Sequence, residues 1–205
     1  ALEKFPGLRL AAISGGQFDN VICSRCDAVV ALPTGSGAAF TAFIREFDAA
    51  LKNEYAVTDP GVTLTCAAAE AAKAVPAERT ATLVQALAAM PQGVEAMDTD
   101  FPGLVQTSLN MGVVKLNGDG LHITFSIRSS IASRKLMLAQ RVRAVAALAG
   151  GTVAERGVYP GWQYKRESKF RDTLLAAYKD LTGKDGVVEA THGGLECGLL
   201  MEKIP

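Results

Sequence analysis

Leu104-Val105-Gln106-Thr107-Ser108-Leu109-Asn110-Met111-Gly112-Val113-Val114-Lys115-Leu116, then Asn117-Gly118-Asp119-Gly120, then Leu121-His122-Ile123-Thr124-Phe125-Ser126-Ile127-Arg128-Ser129, is the stretch on which the fold turns. Asn-Gly followed by Asp-Gly is a strong hairpin signal, because these residues accept the positive φ that a tight reversal needs. On the first strand Leu109, Met111 and Val113 alternate with Ser108, Asn110 and Gly112. On the second, Ile123, Phe125 and Ile127 alternate with His122, Thr124, Ser126 and Arg128. A sheet with one buried face puts the two apolar sets together. Asn110 and Arg128 then share the opposite face. A plain four-residue loop pairing Leu116 with Leu121 would instead set Asn110 against Ile127. The polarity match therefore predicts a bulge or an odd-length loop near the turn.

Outward from the hairpin, the pattern alternates strands with covering helices. Leu8 to Ile13 reads as a strand stopped by Gly15-Gly16, and Val21 to Leu32 as a second strand stopped by Pro33-Thr34-Gly35. Phe40, Phe43, Ile44, Phe47 and Leu51 follow helical spacing, which predicts a helix from Ser36 to about Tyr55, capped by Ser36 or Thr34. Val62 to Cys66 alternates as a strand. Ala67 to Ala77 is Ala-rich and ambiguous. Glu78 to Met90 reads as a helix ended by Pro91-Gln92-Gly93. After the hairpin a helix runs from Arg134 to Ala149, with Ser133 as its cap and Gly150-Gly151 at its end. Thr152 to Arg156 reads as a short strand, Glu167 to Leu181 as a helix, and Gly186 to Ala190 as a strand leading into Thr191-His192-Gly193-Gly194.

This order predicts an α+β fold, a two-layer α/β sandwich whose mostly antiparallel sheet is covered by helices on one face. The pattern changes near Pro160-Gly161, where helix, strand and Gly-rich loop follow in the manner of a second α/β domain. We divide the chain into residues 1–158 and a partial domain over residues 159–205. The latter is too short to bury a core of its own.

Composition narrows the functional classes. The 205 residues carry 21 basic and 21 acidic side chains, and 49% are apolar. A zero formal charge leaves no electrostatic footprint for nucleic acid and no basic arm for an anionic membrane. Aromatics at 6% are too sparse for stacking platforms on single strands. No apolar run approaches the roughly 20 residues that span a bilayer. The chain opens without Met and without a signal-peptide core. With only four Cys we expect a piece of a longer protein in a reducing cytoplasm. Cys23-Ser24-Arg25-Cys26 is a CxxC without the second ligand pair that zinc requires, and it reads as two unpaired thiols in a strand.

Two constellations carry candidate chemistry. Arg128 offers a planar fork and Asn110 a neighbouring amide, a pair able to hold a carboxylate. The same pattern also fits a solvated sheet face. In His192-Gly193-Gly194-Leu195-Glu196-Cys197-Gly198, two glycines permit close backbone approach to a ligand. A helix starting near Leu195 would aim N–H groups at an anion, with Glu196 at the same mouth. A plain strand-to-helix turn accounts for it equally well. With two His 70 residues apart and no HxD, HExxH, GxSxG or P-loop spacing, no complete active site is legible.

At these same residues the sequence resembles the bacterial aminoacyl-histidine (Xaa-His) dipeptidases, carnosinase-like members of a co-catalytic di-zinc metallopeptidase family. The carrying segments are Gly103 to Val114, Ile127-Arg128-Ser129-Ser130-Ile131, Tyr159-Pro160-Gly161-Trp162 and His192 to Leu199, with Leu8 to Asn20 similar to the lid strand. The match is weak from Pro33 to Met90, and Cys23-Ser24-Arg25-Cys26 departs from the family's Pro-Arg-Glu-like stretch.

The resemblance implies a hydrolase with two zinc ions, a catalytic domain, and a lid that dimerises and closes over a dipeptide. Residues 1–158 would be most of that lid and residues 159–205 the start of the returning catalytic domain. It implies substrate-binding roles for Asn110, Arg128, Gly193, Gly194 and Glu196. It places every metal ligand and catalytic residue outside this chain, which would be inactive alone and depend on the missing catalytic domain of the same protein. The alternative is a self-standing α+β dimerisation or small-molecule-sensing module without catalysis. The 159–205 tail discriminates between them, since an autonomous module would not carry an unfinished half-domain.

Overall fold

The structure, a computed structural model, describes residues 1–70, 73–118 and 120–203; Asp119 of the hairpin turn and two residues of the ambiguous Ala-rich stretch lie outside them. The elements run β1 (Arg9–Gly15), β2 (Cys26–Ala31), α1 (Gly37–Glu54), α2 (Ala77–Ala89), β3 (Gly93–Met97), β4 (Val105–Asn117), β5 (Gly120–Ser129), α3 (Ala132–Leu148), α4 (Lys169–Thr182) and α5 (Glu196–Lys203). The fold is α+β, as the hairpin and its covering helices predict. Its five-stranded sheet has the order β2-β1-β4-β3, with β5 also paired to β4. β1 with β2, β1 with β4 and β3 with β4 are all antiparallel.

Contacts group the chain into two compact units: Ala1–Phe18 with Cys23–Ala88 and Val113–Ile123, and Asp19–Ile22 with Ala89–Gly112 and Thr124 onward. In the first, Phe5 packs edge-on against Phe40 and Phe43 of α1 at 5.2 and 5.7 Å between ring centroids. Thr80 of α2 is fully buried. Its Oγ1 accepts from Leu10 N at 3.0 Å and donates to Val75 O at 3.3 Å, so a polar side chain satisfies strand backbone inside apolar surroundings. In the second, Leu109 of β4 and Leu138 and Val142 of α3 form a core joined by Phe125 and Ile127 of β5 and by Met90. Leu109, Phe125 and Ile127 of the hairpin's apolar set thus share one core with α3.

Several expected elements differ, for reasons that can be named. β2 begins at Cys26 rather than Val21, because the carbonyls of Asp19 and Val21 accept from the Asn110 side chain instead of a strand. Val62 to Cys66 forms no strand: Leu64 N donates to Asp48 Oδ1 of α1 at 2.6 Å, so a carboxylate takes the place of a ladder partner. Thr152 to Arg156 and Gly186 to Ala190 likewise have no ladder; Glu155 is instead held by Arg143 at 2.6 Å. β3 was not expected, and its pairing to β4 shifts register twice. α3 starts at Ala132 with Ile131 at the cap position and no side-chain cap. The Ser129 hydroxyl bonds both Ile131 N and Ile131 O at 3.0 Å, so Ser133 has no capping role. Ser36 holds the cap position of α1 without a side-chain bond. α4 is capped by Ser168, which accepts from Arg171 N, and closes on Gly183 at φ 70°. α4 has no buried residue: Phe170, Leu174 and Tyr178 are 75%, 54% and 47% exposed, and Leu175 is half-buried beside Gly186.

Candidate functional site

The site lies within the second unit, on the polar face of the hairpin stem. Ser130 N donates to Gln106 O at 3.3 Å, and Thr107 Oγ1 lies 2.8 Å from Ser129 Oγ. These two rungs put Ser108 beside Arg128, one residue out of step with a Leu116–Leu121 loop, as the polarity pattern requires. Ser108 and Arg128 both reach the loop after α4: Ser108 Oγ is 2.8 Å from His192 Nε2, and Arg128 Nη1 donates to His192 O at 3.1 Å. Arg128 is exposed, and one of the five N–H donors of its guanidinium is engaged by the His192 carbonyl. The His192 imidazole titrates below its ordinary value, first because burial disfavours the cation and second because Arg128 is adjacent.

Asn110 stands two residues along β4 from Ser108 and so on the same face. Its Nδ2 donates to Asp19 O at 2.8 Å and to Val21 O at 2.9 Å, holding the backbone on either side of Asn20. Its Oδ1 is buried and, among the described residues, has no hydrogen-bond partner. The amide therefore fastens the 19–22 segment, a role that only the folded chain reveals.

The glycines of the loop answer to packing. A Cβ on Gly194 would sit 3.0 Å from the Tyr159 ring, and one on Gly198 would sit 3.2 Å from Pro160 O. Gly161 is tighter still, with Ser130 O only 2.6 Å from where its Cβ would be. Gly193 has open space beside it. Tyr159-Pro160-Gly161-Trp162 is thus wedged between the end of β5 and the Gly194 loop. Lys135 of α3 donates to Tyr159 O at the same place. Glu196 opens α5; among the described residues no hydrogen bond or ion pair joins it to Asn110 or Arg128.

The structure thus brings Arg128 to the residue preceding Gly193 and keeps Asn110 on the same strand face with its donors engaged. Ser108 and His192 complete the arrangement. Neither was singled out from sequence for a role, although both lie inside the motifs quoted above. Among the described residues no three His, Cys, Asp or Glu side chains group closely enough to hold a metal ion. The four Cys are free thiols, and burial, with Cys23 nearby, pushes the Cys26 thiol up. No described helix is long and apolar enough to cross a membrane.

Comparison with known proteins agrees with this architecture. Residues 1–59 match the family model described as a peptidase dimerisation domain. The chain is 31% identical over 199 residues to the cytosol non-specific dipeptidase of Escherichia coli K12, covering 97% of this chain and 41% of that protein. It superposes on the crystal structure of aminoacylhistidine dipeptidase from Vibrio alginolyticus with a TM-score of 0.88 at 28% identity, covering 98% of this chain and 41% of that one. The chain therefore spans about two-fifths of the length of the relatives it matches. By sequence and by fold together, it belongs to the family of the aminoacylhistidine and cytosol non-specific dipeptidases.

Proposed function

We propose that this chain is the lid and substrate-orienting part of a zinc-dependent dipeptidase that hydrolyses Xaa-His dipeptides in the cytoplasm. The observation that carries this reading is the Arg128 fork, exposed on the sheet face and steadied at one nitrogen by the His192 carbonyl. A guanidinium held at one N–H keeps others in the planar geometry that matches a carboxylate, here the C-terminal carboxylate of a dipeptide. Gly193 and Gly194 would line the pocket beside it, and Asn110 and Glu196 would complete its rim. Two zinc ions, held by residues beyond these 205, would supply an activated water; this chain's part is to bind, orient and exclude solvent. The open face of α4 supports a partner domain of the same polypeptide covering the 159–205 segment. A homodimer through the first unit is supported by the match over residues 1–59 and by β2 standing at the end of the sheet.

The test uses protein expressed from its whole coding sequence. Dipeptides ending in His should be cleaved, and their C-terminal amides cleaved far more slowly. Arg128→Ala should remove about 2 kcal/mol of transition-state binding, about thirtyfold in kcat/KM, and abolish the preference for a free carboxylate. An Arg128→Ala enzyme that still discriminates between acid and amide would refute the clamp.

A further inference from the structure

His192 sits where three contacts cross. Its ring Nε2 lies 2.8 Å from Ser108 Oγ, and the Val105 carbonyl also hydrogen-bonds the imidazole. Its own carbonyl accepts from Arg128 Nη1 at 3.1 Å. β4 therefore grips the ring at two points, and the loop passes that placement on to the strand beside it through one backbone oxygen. The next two residues, Gly193 and Gly194, bring no side chain and much backbone freedom. The imidazole is thus the loop's anchor on the hairpin.

We propose that His192 is the positioning residue of the Arg128 site: its imidazole, seated on Ser108, fixes the carbonyl that aims the guanidinium. The inference rests on reading Arg128 as the carboxylate clamp. His192 acts through Arg128 and touches no reacting atom. Without the ring the His192 carbonyl loses its fixed place, and the Arg128 side chain regains the rotamers that the bond removes. The effect falls on substrate binding rather than on the chemical step, so KM should move and kcat should not.

The experiment compares His192→Ala, His192→Gln, Ser108→Ala, Arg128→Ala and the His192→Ala/Arg128→Ala double variant in protein expressed from the whole coding sequence. Two readouts are taken: the 15N NMR signal of Arg128 Nε–H, assigned by its loss in Arg128→Ala, and dipeptide kinetics. His192→Ala should collapse the Arg128 signal into the mobile arginine envelope and raise KM about tenfold with kcat nearly unchanged. Ser108→Ala, which removes the anchor from the strand side and leaves the loop sequence intact, should do the same. A Gln amide reaches the same Ser108 hydroxyl, so His192→Gln should restore both readouts. The double variant should be no worse than Arg128→Ala alone. An unchanged Arg128 signal in both His192→Ala and Ser108→Ala overturns the proposal, as does a Gln variant that folds but rescues neither readout. If Arg128→Ala leaves KM unchanged, the clamp reading fails, and the NMR signal still decides the positioning role by itself.

Discussion

Gly161→Ala isolates one physical effect, because the φ of Gly161 is not in the left-handed region and only space is at issue. The added Cβ would meet Ser130 O at 2.6 Å, Ser130 C at 2.9 Å and Ser129 O at 3.0 Å. All three obstacles are backbone, so no rotamer change relieves them; either the Tyr159–Trp162 segment or the end of β5 must move. Ordinary carbon–oxygen contact begins at about 3.4 Å, so the shortfall is close to an ångström at the nearest atom. Forced insertion of one methyl costs typically about 1–3 kcal/mol. The absence of any side chain that could yield places this site in the upper half of that range, at about 2–3 kcal/mol. For a chain of this size that lowers Tm by about 5–10 °C. Gly193→Ala is the matched control, since its Cβ would meet nothing nearer than Thr191 Oγ1 at 4.0 Å. Scanning calorimetry on the two variants decides the matter. A Gly161→Ala protein melting within about a degree of the unaltered chain, or one indistinguishable from Gly193→Ala, would refute the steric argument and the wedging of Tyr159–Trp162 with it.

Two further perturbations probe other contacts. Thr80→Val keeps the shape of a fully buried side chain but leaves the Leu10 N–H without its acceptor, so urea denaturation should show a loss of about 1–3 kcal/mol with an unchanged m-value. Asp48 titrates below the ordinary carboxylate value, chiefly through the Leu64 N–H and next through Lys52, so its hold on residues 62–65 is present above the ordinary carboxylate pKa and is lost as pH falls through the lowered one. Hydrogen exchange at the Leu64 amide should therefore speed up on acidification relative to other exposed amides. Asp48→Asn should show that loosened state already at neutral pH, and an amide equally protected in Asp48→Asn and in the unaltered chain would break the assignment.

The hairpin was legible because alternation in a half-buried strand reports position to a single residue. A slip of one would have set the polar Asn110 and the apolar Ile127 on the same face. The same alternation over-read Val62 to Cys66, because a period of two reports a two-sided environment and says nothing of whether a neighbouring strand exists. β3 escaped notice for the opposite reason: five residues starting at Gly93, directly after Pro91-Gln92, with two register shifts against β4, leave too little periodicity to read. At the site, the shared face of Asn110 and Arg128 follows from pattern alone. The partners of Asn110 do not, since they lie 91 and 89 residues away in the chain. Nor does the bond between Ser108 and His192, which spans 84. Contacts of that reach are set by how elements pack, and no local rule encodes them.

The helix over Lys169–Thr182 leaves a greasy stripe, Phe170, Leu174, Tyr178 and Leu181, facing water. Such a stripe is adhesive to its own kind. A preparation of these 205 residues will sediment as a mixture whose average mass climbs with concentration, by a route unrelated to any pairing through β2. A measured molecular weight thus speaks to the dimer only after this stripe has been blunted, for instance by Phe170→Lys together with Leu181→Lys, or covered by the remainder of the polypeptide.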